Sequence, residues 1–177
     1  MESRNSHNIR TVPDNLTSIT PWIISASTSE MIEFLTTAFG AREVPDSRVR
    51  NEEGVIIHAV VKLGTATIML FDSREGWGPT PAFLNLYVPD VEQAYKRALE
   101  LGATSVTDIT PLYFGEKVCR ILDPFGNLWW LNERIEELEP AEIKLRAGTG
   151  EAARGIAYIQ QSLDEALKAQ KAFFQLD

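Results

Sequence analysis

The sequence predicts an α+β protein: two tandem βαβββ modules followed by a C-terminal helix. Three observations predict it. Two amphipathic helices recur with the same start and stop, an apolar strand precedes each, and strand-and-turn segments follow each. The helix-ending glycines Gly40 and Gly102 lie 62 residues apart, as do the turn glycines Gly64 and Gly126.

The first module opens on "SITPWIIS" (18–25), a strand candidate. The helix "STSEMIEFLTTAFGA" (27–41) then sets Met31, Phe34, Leu35 and Ala38 on one face at helical spacing. Ser27 with Glu30 resembles a capping pair, in which side chains satisfy the orphan N–H groups of a helix start. Gly40 stops the helix by taking the left-handed conformation. Hairpin signals follow in "REVPDSRV", "VIIHAVVKL" and "TATIMLFD". The linker "DSREGWGPTP" (72–81) leads to the second strand, "AFLNLYV" (82–88), and helix, "PDVEQAYKRALELGA" (89–103). Here Asp90 with Gln93 forms the capping pair, and Val91, Ala94, Tyr95, Ala98 and Leu99 form the apolar face. "SVTDITPLYF", "EKVCRILD" and "NLWWLNE" complete the module. The expected organisation is a tail at 1–16, a domain at 17–137 with modules 17–72 and 81–137, and a connector with an amphipathic helix at 138–177. In that helix Ile156, Ile159, Leu163, Leu167 and Phe174 mark the apolar stripe.

Composition narrows the function classes. A formal net charge of −8 with scattered Lys and Arg excludes nucleic acid as an expected partner, because phosphate binding needs a basic face. No apolar run reaches the roughly 18–20 residues of a membrane span, so no membrane partner is expected. The polar start "MESRNSHNIRTVPDNLTS" lacks a signal-peptide core, which makes a cytoplasmic location the expectation. The single cysteine, Cys119, allows no internal disulfide and reads as a small buried hydrophobe.

"DPFGNLWWL" resembles the DP-x-G turn and last strand of the vicinal oxygen chelate superfamily, which holds glyoxalase I, extradiol dioxygenases, fosfomycin-resistance enzymes and bleomycin-binding proteins. "VIIHAVVKLGTATIMLFDS" with "GATSVTDITPLYFGEKVCRILDPFGNLWWLNERI" looks most like its PhnB-type, glyoxalase-like branch. The resemblance implies sheets curled around a pocket and a homodimer. It also implies a divalent metal held by His and Glu side chains. Carried over position by position, those ligands fall on Thr20, on Ile68 or Met69, on Phe83 and on Trp130. None supplies an imidazole or carboxylate, so no metal, no cofactor and no glyoxalase or dioxygenase activity are expected; other catalysis stays open.

The candidate site residues follow from strand alternation. Alternation puts Leu128, Trp130 and Asn132 on one side and Trp129 and Leu131 on the other, and the resemblance implies that Trp130 points into the pocket while Trp129 packs under the helices. Trp130 either stacks on a planar ligand or fills the old cavity. Phe83, Asn85, Tyr113 and Arg120 join Trp130 and Asn132 as candidate ligand contacts. Arg120 suits a carboxylate or phosphonate, which its guanidinium can grip with two N–H groups. Tyr113 and Phe114 form a pocket lip or ordinary core. Asn85 and Asn132 point to the pocket or to solvent. Trp22 is expected in the core. His58, set opposite Arg120 by the 62-residue spacing, is a general-base candidate or a core histidine bonded to a carbonyl. The leading expectation is a metal-independent protein that sequesters a small organic ligand in an apolar pocket. The alternatives are a metal-free isomerase or lyase using His58, and a structural or regulatory domain with a collapsed pocket.

Overall fold

The computed structural model describes residues 11–14 and 16–174, with side chains to residue 169. Residues 1–10 and 15 of the expected tail, with His7, and the side chain of Phe174 lie outside the described residues. The chain forms two compact units: the described residues through Ile32 with Gly40–Thr80, and Glu33–Phe39 with the chain from Pro81 onward.

The first unit holds β1 (Trp22–Ser25), the start of α1 (Thr28–Phe39), β2 (Arg42–Glu43), β3 (Val49–Arg50), β4 (Ile56–Leu63) and β5 (Ala66–Asp72). Its sheet runs β1-β5-β4-β2, with β3 also on β4, and β1 lies parallel to β5. The expected strand at 18–25 forms only from Trp22. Upstream, Thr20 turns back on Thr17, donating its hydroxyl to the Thr17 carbonyl at 3.0 Å. "REVPDSRV" yields two short strands because Pro45 and the left-handed Asp46 (φ 58°) interrupt it. One face of the sheet buries Ile23, Ala59, Val61, Ile68 and Leu70. The start of α1 is tied to the sheet from outside its own sequence: the Asp72 carboxylate accepts the Thr28 N–H at 2.8 Å and the Ile56 N–H at 2.8 Å.

The second unit holds β6 (Phe83–Tyr87), α2 (Val91–Glu100), β7 (Thr104–Leu112), β8 (Glu116–Leu122), β9 (Leu128–Arg134), α3 (Pro140–Ala147) and α4 (Gly150–Phe174). Its order, β6-β9-β8-β7 with β6 parallel to β9, repeats the first sheet. Asp90 caps α2 through the Gln93 N–H at 2.9 Å, and the Gln93 amide reaches back to it at 2.9 Å. Val91, Ala94 and Ala98 form the buried face of α2, which packs on β7, β8 and β9. Small alanines let that helix sit close to the sheet. The stretch read as a plain connector contains α3, started by Pro140 at its first turn.

The clasp at each helix start defines which positions of the two modules correspond. Glu133 accepts the Val91 N–H at 3.0 Å, as Asp72 accepts that of Thr28. The buried row Ile23–Leu70–Ala59 then matches Leu86–Leu131–Cys119. On that register Met69 corresponds to Trp130 and Thr20 to Phe83. Arg120 corresponds to Val60, not to His58. Corresponding positions are 63 apart in β1 and β6 (Ile23, Leu86), 60 in β4 and β8 (Ala59, Cys119) and 61 in β5 and β9 (Leu70, Leu131), so the constant spacing fails because the segments joining these elements differ in length.

Candidate ligand-binding faces

The open face of the first unit is aromatic. Alternation buries Ile23 and Ser25 and leaves Trp22 outward, 46% exposed. Trp22 is therefore not a core residue, as the sequence suggested: it shares a strand side with position 20 and lies on the uncovered face. Its ring meets Phe71 edge-on at 5.2 Å and His58 at 5.6 Å. Phe71 in turn meets Trp77 at 5.8 Å. Trp77 is held by a tight turn in which Arg74 and Trp77 exchange backbone hydrogen bonds at 3.1 and 3.3 Å. Met69 lies on the same side as Trp22, whereas Ile68 is buried on the other.

His58 is half-buried, with Nδ1 2.9 Å from the Ser47 carbonyl. A carbonyl can only accept, so Nδ1 carries the proton there and the neutral ring keeps its lone pair on Nε2. This is the bonding expected of a satisfied core histidine. It is also the arrangement that leaves one nitrogen basic.

In the second unit Arg120, Trp130, Asn132 and Asn85 come together on one face, through the pairings Asn85–Trp130–Arg120 and Tyr87–Asn132–Val118. Asn132 is buried and donates its amide to Asn85 at 2.7 Å. Phe83, on the outer strand β6, is 52% exposed. Tyr113 stands apart, in the β7–β8 turn, edge-on to Phe114 at 5.2 Å. It lines a cleft of about 320 Å³ with Ile135, Glu136 and Arg146.

The sequence left open whether the C-terminal helix packs on its own domain, caps the pocket or clasps a second subunit. Helix α4 lies along β7 and places Ile156 and Ile159 in a cluster with Leu112, Val118, Phe114 and Trp130. Tyr158 Oη accepts the Asp108 N–H at 3.1 Å, and the Ser162 and Thr107 hydroxyls meet at 2.7 Å. Arg120 is 2% exposed, stacked 3.8 Å over the Trp130 ring. Its Nη1 donates to the Ile159 carbonyl at 2.6 Å and to Thr107 at 3.1 Å. Burial pushes the Arg120 pKa down. No carboxylate among the described residues pairs with it. Arg120 Nε and Trp130 Nε1 are buried donors that find no acceptor among those residues. The stripe Ile156–Ile159–Leu163 was the only signal of this cover.

Trp129 is buried on the opposite side, 5.1 Å from Phe39, and donates its Nε1–H to Asp123 at 2.8 Å. Cys119 is fully buried on that side too, and burial pushes its thiol up to about 12.

The donor chemistry does not fit a divalent metal. Thr20, Met69, Phe83 and Trp130 offer one neutral oxygen and a thioether between them. Among the described residues no three His, Cys, Asp or Glu side chains gather as a metal site.

The family model of the Glyoxalase/Bleomycin resistance protein/Dioxygenase superfamily matches residues 17–131, and the chain belongs to that family. An uncharacterized protein of Mycobacterium bovis is 31% identical over 137 residues, covering 71% of this chain and 89% of the relative. An uncharacterized Mycobacterium tuberculosis protein matches at the same identity, over 79% of its length. Among solved structures, TioX from Micromonospora sp. ML1 superposes with a TM-score of 0.54 at 21% identity, covering 67% of this chain and 99% of that one. A Bacillus cereus PhnB protein, described as a putative 3-demethylubiquinone-9 3-methyltransferase, gives 0.54 at 22% identity over 66% and 99%. At these identities the structural matches establish the fold. No helix among the described residues is long and apolar enough to cross a membrane.

Proposed function

We propose that this protein is a metal-independent member of its superfamily that binds a small planar organic ligand, of the sequestering kind, rather than turning over a metal-chelated substrate. The observation that carries the reading is the exposed aromatic run Trp22–Phe71–Trp77 beside His58. Flat apolar rings with an indole N–H and an imidazole at the edge suit stacking and one or two orienting hydrogen bonds. The donor-poor Thr20, Met69, Phe83 and Trp130 support the metal-free part. Asn85 and Asn132 support polar orientation on the second module. A homodimer acting in the cytoplasm completes the proposal; sedimentation of the purified chain tests the dimer.

The test is calorimetric titration with a panel of planar aromatic compounds, before and after EDTA, on wild type and Trp22→Ala. Binding that survives EDTA and weakens about tenfold or more in Trp22→Ala supports the reading. Turnover of a glutathione hemithioacetal that responds to added metal sinks it, and so does binding indifferent to Trp22.

A second reading, metal-free isomerase or lyase chemistry, is favoured by the Ser47 carbonyl fixing Nδ1–H and so leaving His58 Nε2 basic. Loss of turnover with retained ligand affinity in His58→Ala marks that case. The collapsed-pocket regulatory reading is favoured only on the second module, where α4 covers Trp130.

A further inference from the structure

Helix α4 does not fill its side of the second sheet along its whole length. Beyond the Arg120–Trp130 row, toward the Leu122–Leu128 row, a groove of about 520 Å³ opens between sheet and helix. Its walls are mostly apolar: Val106, Leu122, Leu128, Ala166 and Ala169. That volume is in the range of small-molecule pockets, and the lining suits a hydrocarbon or ring body. The one acid among the lining residues, Glu165, is engaged by Gln161 of its own helix at 2.8 Å.

The groove also has polar lining residues, Thr104, Ser105 and Ser162, and Ser162 leads by hydrogen bonds to a buried charge that does not itself line the groove. The Ser162 hydroxyl is 2.7 Å from Thr107, whose oxygen is 3.1 Å from Arg120 Nη1. The guanidinium behind them is buried, carries its full charge, and makes do with a main-chain carbonyl and a hydroxyl. Its Nε, and the Nε1 of the Trp130 ring on which it stacks, find no acceptor among the described residues. A buried cation with no carboxylate partner among the described residues is costly, and an anion nearby would relieve that cost. We propose that this groove binds a small amphipathic monocarboxylate, its acid group at Ser162, drawn by the Arg120 charge that reaches Ser162 through Thr107, and its apolar body lying along Leu122, Leu128, Ala166 and Ala169. The site is separate from the aromatic face on which the proposed function rests, and it stands or falls independently.

The test uses the full chain and two matched probes, octanoate and octanamide, followed by calorimetry. Octanoate is expected to bind at least tenfold tighter than octanamide. Arg120→Gln is expected to erase that preference, and Ala166→Trp to block both probes by filling the groove. Trp22→Ala is expected to leave octanoate affinity unchanged. Ser162→Ala keeps the question answerable if Arg120→Gln fails to fold, with a loss of several-fold for the acid and none for the amide. Equal affinity for acid and amide overturns the proposal, as does no octanoate binding at all or binding that Ala166→Trp leaves intact.

Discussion

Replacing Asp123 by alanine should be one of the most damaging single changes in the second module, because three buried donors and one part-buried donor converge on it. Its Oδ1 accepts the Phe125 N–H at 2.9 Å and the Asn127 N–H at 2.8 Å. Its Oδ2 accepts the Asn127 amide at 2.9 Å and the Trp129 indole at 2.8 Å. Asp123, Asn127 and Trp129 are each no more than 3% exposed, so water does not readily replace these bonds. Each orphaned buried donor costs about 1–3 kcal/mol. Some relief comes from water entering the turn, which leaves a loss of about 3–5 kcal/mol for Asp123→Ala, a large share of a typical ~5–15 kcal/mol stability. Asp123→Asn retains one acceptor oxygen but turns an NH₂ toward other donors, and should cost less, about 2–3 kcal/mol. Urea unfolding gives both values from the midpoint and slope. Trp129→Phe measured in each background isolates the indole bond: it should cost about 1–2 kcal/mol less when Asp123 is already gone. An Asp123→Ala protein within about 1 kcal/mol of wild type would refute the accounting, since it would mean that solvent already serves those donors.

Ile159→Ala removes a buried side chain from the α4 contact with Leu112, Val118 and Trp130, and should cost about 2–4 kcal/mol in the same urea assay; a loss below about 1 kcal/mol would show that α4 is loosely held. Cys119 should resist thiol reagents until the protein unfolds, its folded pKa of about 12 lying above the unfolded value near ~8.5. The fold favours the neutral thiol, so its contribution to stability is complete below about pH 8.5 and is lost as pH rises toward 12; alkylation that follows a pKa near ~8.5 in native protein would contradict this.

Local periodicity made the modules readable. Val91, Ala94 and Ala98 repeat at helical spacing and are the buried face of α2. The Trp129–Trp130 pair could be split between two sides because strand side chains alternate without exception over so short a run. The same alternation puts positions 20 and 22 on one side, so Trp22 belongs with the open face and not the core. The link between His58 and Arg120 failed for a different reason. Equal spacing in sequence equals equal position in a sheet only when the intervening turns have equal length, and these do not.

The repeated strand–helix–strands order of the two modules, the poverty of metal donors and the sides of Trp129 and Trp130 were determined by the sequence alone, since each depends on residue type or on spacing within one element. Whether Trp130 and Arg120 met a ligand or a helix was decided by the tertiary structure. An amphipathic stripe states that one side of α4 must leave water, but any apolar surface satisfies that demand, and only the folded chain selects the face of β7 and β8. The groove that this docking leaves arises the same way: its walls come from segments far apart in sequence, and no local pattern encodes the space between them.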